Sequence, residues 1–229
     1  MNRTAGVLKM HLRDKWTWIC IPWGIMLFSF IINLVIGLSI EQGNKPFYTA
    51  GIASIYVFMF IAGTFTLAHT FPYALGMNIR RQDYMLGTIA MSAIISAGTS
   101  LLLAMLTFME SLSGGWGVRL HFFQLPYWSD GPVIQQIGMA FLLLMHLYYF
   151  GFAISSVHRR YRAAGMYVLI IVSFAVLSVL SLALSYYEGW KALWDFFLRY
   201  SAWELVLMTV PFTVVYALIS FVLVRRSTI

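Results

Sequence analysis

Charge is what this sequence has least of. Only 10% of its 229 residues are Asp, Glu, Lys or Arg, against roughly 25% in a soluble domain. It has one cysteine, Cys20, so no intrachain disulfide can form and no Cys-x-x-Cys or Cys/His cluster offers a metal site. It has no G-x-x-x-x-G-K-[ST] phosphate loop, no HExxH, no G-x-S-x-G and no paired carboxylates inside an apolar segment. ATP hydrolysis by that loop, zinc proteolysis and serine-type acyl transfer therefore lack their machinery in this chain. A cleavable leader is not expected either: the start is polar to Lys15, and the first apolar run is long enough to span and has no small-residue cleavage site. The expectation is a chain that is not an enzyme and holds no cofactor or metal of its own.

What is present is hydrophobe, at 61% of the residues, with a mean hydropathy of +0.80. Crossing the hydrocarbon of a bilayer takes about 20 apolar residues in a helix. Six stretches, about 17–40, 49–72, 86–109, 133–155, 164–186 and 205–224, reach that length without a single charged residue. A membrane β-barrel would show short alternating segments instead. The sequence thus predicts an all-α integral membrane protein of six transmembrane helices. No Pro/Gly/Ser linker divides it and no loop is long enough to fold alone, so residues 1–229 read as one membrane domain.

Lys and Arg counts in short connections set orientation. Eleven of the 15 basic residues fall on one side: Arg3, Lys9, Arg13 and Lys15, then Arg80 and Arg81, then Arg159, Arg160 and Arg162, then Arg225 and Arg226. Lys45, Arg119, Lys191 and Arg199 fall on the other, together with six of the eight acidic residues, Glu41, Glu110, Asp130, Glu188, Asp195 and Glu204. Both termini are expected in the cytoplasm, in a multi-pass protein of the plasma membrane. The pI near 9.6 then reports topology, and nucleic acid is not an expected partner. Glu110, Glu188 and Glu204 are expected at outer helix ends, solvated by water.

Ala5, Leu8, Leu12 and Trp16 recur at helical spacing while Lys9, Arg13 and Lys15 take other faces. That suits an amphipathic interfacial helix over about 5–16, or a merely basic flank. Trp116, Phe122, Phe123, Tyr127 and Trp128 precede the fourth stretch, and the segment 188–203 carries Trp190, Trp194, Phe196, Phe197, Tyr200 and Trp203. Such rings favour the headgroup level as anchors. Leu193, Phe197 and Tyr200 leave a short interfacial or re-entrant helix open beside a plain loop. Ser92, Ser96 and Ser100, and Ser178, Ser181 and Ser185, read as small-residue helix contacts or as a polar path. Of the intramembrane histidines, His69 precedes Pro72 and His146 lies deeper, each without an acidic partner and so a poor proton relay.

The segment 70–88 reads as a helix exit, a small-residue turn and a short basic element, with Asn78 as its expected cap. Here Pro72-Tyr73-Ala74-Leu75-Gly76 is followed by Arg80-Arg81-x-Asp83-Tyr84. In this the chain resembles the ABC-2-type permeases, the membrane subunits of one class of bacterial ABC exporters. The likeness extends to the six-span plan, the amphipathic start and the aromatic connection before the last span. The resemblance implies a half-transporter that pairs with a second permease chain, as homo- or heterodimer, and with separate soluble ATPase subunits that bind ATP and Mg. It implies ATPase docking on Arg80, Arg81, Asp83 and Tyr84, and a second contact on Arg159, Arg160 and Arg162. Those arginines serve equally as topology signals that bind anionic membrane lipid. Charge-free spans favour an apolar or amphipathic cargo. A stand-alone secondary carrier or a membrane scaffold is the alternative.

Overall fold

The computed structural model describes residues 3–39 and 46–225. Ile40 at the end of the first predicted span, and Glu41, Lys45 and Arg226, lie outside the described residues. Every long apolar run becomes helix, as it must where lipid offers backbone groups no hydrogen-bond partner. In chain order the elements are α1 (Arg3–Arg13), a π-helical stretch Trp16–Cys20 leading into α2 (Ile21–Ser39), β1 (Phe47–Tyr48), α3 (Ala53–Gly76), α4 (Arg81–Ser113), β2 (Leu120–His121), α5 (Val133–Tyr186), α6 (Trp190–Arg199) and α7 (Ala202–Arg225). Among the described residues, five helices are long and apolar enough to cross a membrane: Trp16–Ser39, α3, α4, α5 and α7. These helices make the protein an all-α membrane protein. The helices outrun the predicted apolar stretches, because hydropathy marks the hydrocarbon and not the end of hydrogen bonding. α3 continues through Pro72, and α4 begins at Arg81.

α5 is 54 residues long, but its backbone leaves helical geometry at Arg162 (φ 55°, ψ −147°). A non-glycine residue there is strained, and the chain changes direction. The predicted stretches 133–155 and 164–186 lie on either side of this break. Before it, α5 packs against α3, α4 and α7. Glycines set the crossing with α3: a Cβ on Gly63 would lie 2.1 Å from the Tyr148 carbonyl oxygen, and one on Gly151 would lie 2.1 Å from that of Phe60. The two backbones meet where neither carries a side chain, the close approach on which helix association in lipid depends. After the break no residue of α5 is buried.

α7 runs parallel to the first half of α5. The Trp203 ring covers Gly138, Thr213 Oγ1 lies 2.8 Å from His146 Nδ1, and Tyr216 sits 5.4 Å from Phe150, centroid to centroid. At its start Tyr127 donates its hydroxyl hydrogen to the Tyr200 carbonyl. The chain between Arg162 and Tyr200 therefore returns over the length that α5 has covered.

α1 ends at Arg13 rather than reaching residue 16, and its faces differ in burial. Val7 and His11 are buried against α4, whereas Ala5, Leu12 and Trp16 are exposed. Gly87 makes room for it, since a Cβ there would meet Val7 at 2.6 Å. The serine expectation divides in the same way. Ser92, Ser96 and Ser100 are buried, but Ser181 and Ser185 are exposed and Ser178 only half-buried.

Candidate functional site

Two ends of the bundle carry built polar structure. At the acidic end, Glu110 is fully buried, which corrects the expectation that water solvates it. Gly114, Gly115 and Gly117 have φ of 62°, 84° and 78° and turn the chain after α4 back over its own last turn. The carboxylate then accepts N–H bonds from Phe122 (3.1 Å), Phe123 (2.9 Å) and Gln124 (2.9 Å) and from Trp116 Nε1 (3.0 Å). His121 Nδ1 stands 3.7 Å away. Phe122 and Phe123 are buried rather than anchored at a headgroup level, and their rings close on Phe30 at 5.3 and 5.8 Å. β2 pairs in parallel with β1, Leu120 beside Phe47 and His121 beside Tyr48, which completes the cap. Glu188 and Glu204 are exposed, as expected. The segment before α7 takes the helical alternative, α6, with no residue buried.

At the basic end, α3 closes on a left-handed Asn78 (φ 58°). The Asn78 N–H reaches the Leu75 carbonyl (2.9 Å) and that of Ile79 the Ala74 carbonyl (3.1 Å), a helix-ending pattern. Asn78 thus terminates α3; it is Arg80 that takes the cap position of α4, with no side-chain bond. Asp83 in the first turn suits the positive end of the helix dipole.

The four residues of the predicted docking loop have different surroundings. Arg80 is exposed, Arg81 and Asp83 are half-buried, and Tyr84 is 1% exposed. Tyr84 is therefore no surface contact. Its hydroxyl pairs with Thr70 Oγ1 at 2.7 Å, and its ring stands edge-on to Phe71 at 5.1 Å. Arg81 Nη1 donates to the Arg225 carbonyl at 2.6 Å, which ties the start of α4 to the end of α7.

Arg159 lies with its guanidinium 4.6 Å above the Phe71 ring, in a cation–π contact, and within electrostatic reach of Tyr84 and Arg81. Two segments that look independent in the sequence thus meet, Arg159 of one lying over Phe71 of the other. Arg160 and Arg162 are exposed, and the Arg160 guanidinium lies 6.0 Å from the Tyr161 ring. Thr70, Phe71 and the Arg225 carbonyl are the partners that sequence reasoning missed. A backbone carbonyl leaves no compositional signal, but Phe71 adjoins Pro72 in the motif itself.

α1 adds His11 to this end. It is 1% exposed, with Nε2 3.4 Å from Thr88 Oγ1 and its ring 6.1 Å from that of Tyr84. Burial lowers its pKa from 6.5 to about 4, against a smaller upward pull from Asp14. A cavity of about 470 Å³ lies alongside, lined by Asp14, Thr17, Trp18, Phe65, Thr66 and His69. His69 stacks on Phe65 at 5.7 Å. Among the described residues no three His, Cys, Asp or Glu side chains are grouped to hold a metal.

No family model, no curated protein and no solved structure matches the chain.

Proposed function

We propose that this chain is the membrane subunit of an ABC-type exporter in the bacterial plasma membrane. In this reading it crosses the bilayer six times with its basic end and both termini in the cytoplasm. The observation that carries it is the construction of the α3–α4 turn. Arg80 is exposed on it, while Arg81 binds α7 and Phe71 receives Arg159 from α5. A push on this turn reaches four helices through direct contacts, which is what a subunit driven from outside needs. The sixth crossing is the return of residues 163–186, some 36 Å at 1.5 Å per residue, enough for the roughly 30 Å of hydrocarbon.

The engine is a separate phosphate-loop ATPase gripping Arg80 and Asp83, with Arg81 and Tyr84 as struts beneath. A second copy or a homologue of this chain completes the transporter, and the cargo is apolar or amphipathic. Affinity purification from native membranes tests the reading. A phosphate-loop ATPase should co-elute with ATP-hydrolysing activity, be lost with Arg80→Glu, and stay with Arg13→Glu. A preparation without such an ATPase, or one that keeps it after Arg80→Glu, overturns the proposal.

A further inference from the structure

A second cavity lies at the acidic end of the bundle, between the turn that enters α5 and the start of α7. Tyr127, Trp128 and Asp130 line it from the turn, Gln135 and Met139 from α5, and Trp203 from α7. Its volume is about 270 Å³, just below the roughly 300–1,000 Å³ that encloses a whole drug-sized ligand. It therefore suits one compact group. Met139 is buried with Ala202 and Val206, and Trp128 and Trp203 pack against that cluster, so the floor is apolar and both indoles are anchored to it.

Tyr127 is set by its backbone. Its φ is 68°, a left-handed conformation that non-glycine residues hold at a cost and that concentrates at functional positions. Its N–H donates to Asp130 Oδ2 at 3.0 Å, and its hydroxyl to the Tyr200 carbonyl. The charge around the cavity has one sign. Asp130 is the carboxylate of the lining, and among the described residues no Lys, Arg or His belongs to it. Glu204 accepts the N–H (2.8 Å) and the hydroxyl (2.9 Å) of Ser201, which also lines the cavity, so a second carboxylate stands beside the same wall. Arg199, the nearest basic residue in sequence, is exposed and outside the lining.

A hard metal ion would call for a shell of oxygen ligands in place of rings, and the two carboxylates repel an anion. Aromatic side chains beside a carboxylate suit a cation whose charge is spread over methyl groups, because such an ion lies against ring faces and gives up its water easily. We propose that this cavity binds an alkylated ammonium group, held by Tyr127, Trp128 and Trp203 and neutralised by Asp130. The group is the end of a choline-type lipid headgroup or a free quaternary ammonium ion. Such a site needs no ATPase and stands apart from that reading.

Two measurements on the full chain in maltoside detergent test it: equilibrium binding of radiolabelled choline, and native mass spectrometry with phosphatidylcholine or phosphatidylglycerol. Bound choline should be displaced by unlabelled choline but not by its uncharged carbon isostere. Tyr127→Leu should weaken binding roughly fivefold and Asp130→Asn roughly threefold; both positions are exposed, so the variants should fold. Trp194→Leu, which removes an exposed ring of α6 outside the cavity, should change nothing. Preferential retention of phosphatidylcholine, cut by Tyr127→Leu, identifies a lipid headgroup, and choline binding without that preference identifies a free cation. Absence of both choline binding and phosphatidylcholine preference overturns the proposal. So does displacement by the isostere as effective as that by choline, binding that survives both Tyr127→Leu and Asp130→Asn, or an equal loss with Trp194→Leu.

Discussion

The two halves of α5 are alike in composition and opposite in surroundings. Before Arg162 the helix buries Leu144, Tyr148 and Phe152 completely. After it, Ile171 and Phe174 stand 66% and 73% exposed, and nothing in that half is buried. Both halves are long and apolar enough to enter a bilayer. In lipid there is little hydrophobic drive between helices, so association depends on close backbone approach and on side-chain hydrogen bonds. The first half has both, in Gly151 against Phe60 and His146 against Thr213.

Three experiments probe this contrast. The largest effect is expected from Gly151→Leu, whose side chain meets the Phe60 carbonyl rather than a movable group. It should destabilise the protein by about 3 kcal/mol or more, the upper range for overpacking. Ala175→Leu on the bare half should stay within about 0.5 kcal/mol, as expected of a surface change. Thermal unfolding in detergent compares the two, and equal shifts would erase the distinction.

Acid is the second probe, since it acts on the buried His11 that joins α1 to α4. The His11 pKa is lowered from 6.5 to about 4 in the fold, so the unfolded chain binds more protons between those values. Stability should be constant above pH 6.5 and fall as pH drops toward 4, by up to about 3 kcal/mol at 1.36 kcal/mol per unit. His11→Gln should flatten that slope. Hydrogen exchange should show α1 loosening from α4 first, with residues 163–186 unchanged.

A modest loss is expected of Thr213→Val, which removes the hydroxyl facing His146. It should cost about 1 kcal/mol, the net worth of one hydrogen bond, and the same unfolding assay reads it. If instead it abolishes gradient-driven uptake at unchanged stability, His146 belongs to a carrier rather than to a helix contact.

The membrane-crossing segments were legible because the hydrocarbon imposes one length and one composition on all of them. Their neighbours were not, because Leu against lipid and Leu against Leu look the same in a sequence. Glu110 shows the limit of counting charges by side. It was grouped with Glu188 and Glu204, yet three backbone N–H groups and an indole enclose it. The glycines at 114, 115 and 117 were the available sign that the chain there doubles back. The segment 70–88 was legible as a turn between helices and as the exposed position of Arg80. That Tyr84 faces inward depends on Thr70 and Phe71 one helix away, which spacing within the loop does not reveal.

The strained backbone at Arg162 has a mechanical consequence. Residues 163–186 continue from it as a helical rod in which no residue is buried. A rotation of about 5° at its base would carry the far end of a rod some 36 Å long through about 3 Å. Conformational strain of roughly 1–3 kcal/mol at a single pivot is thus stored at the short end of a long lever.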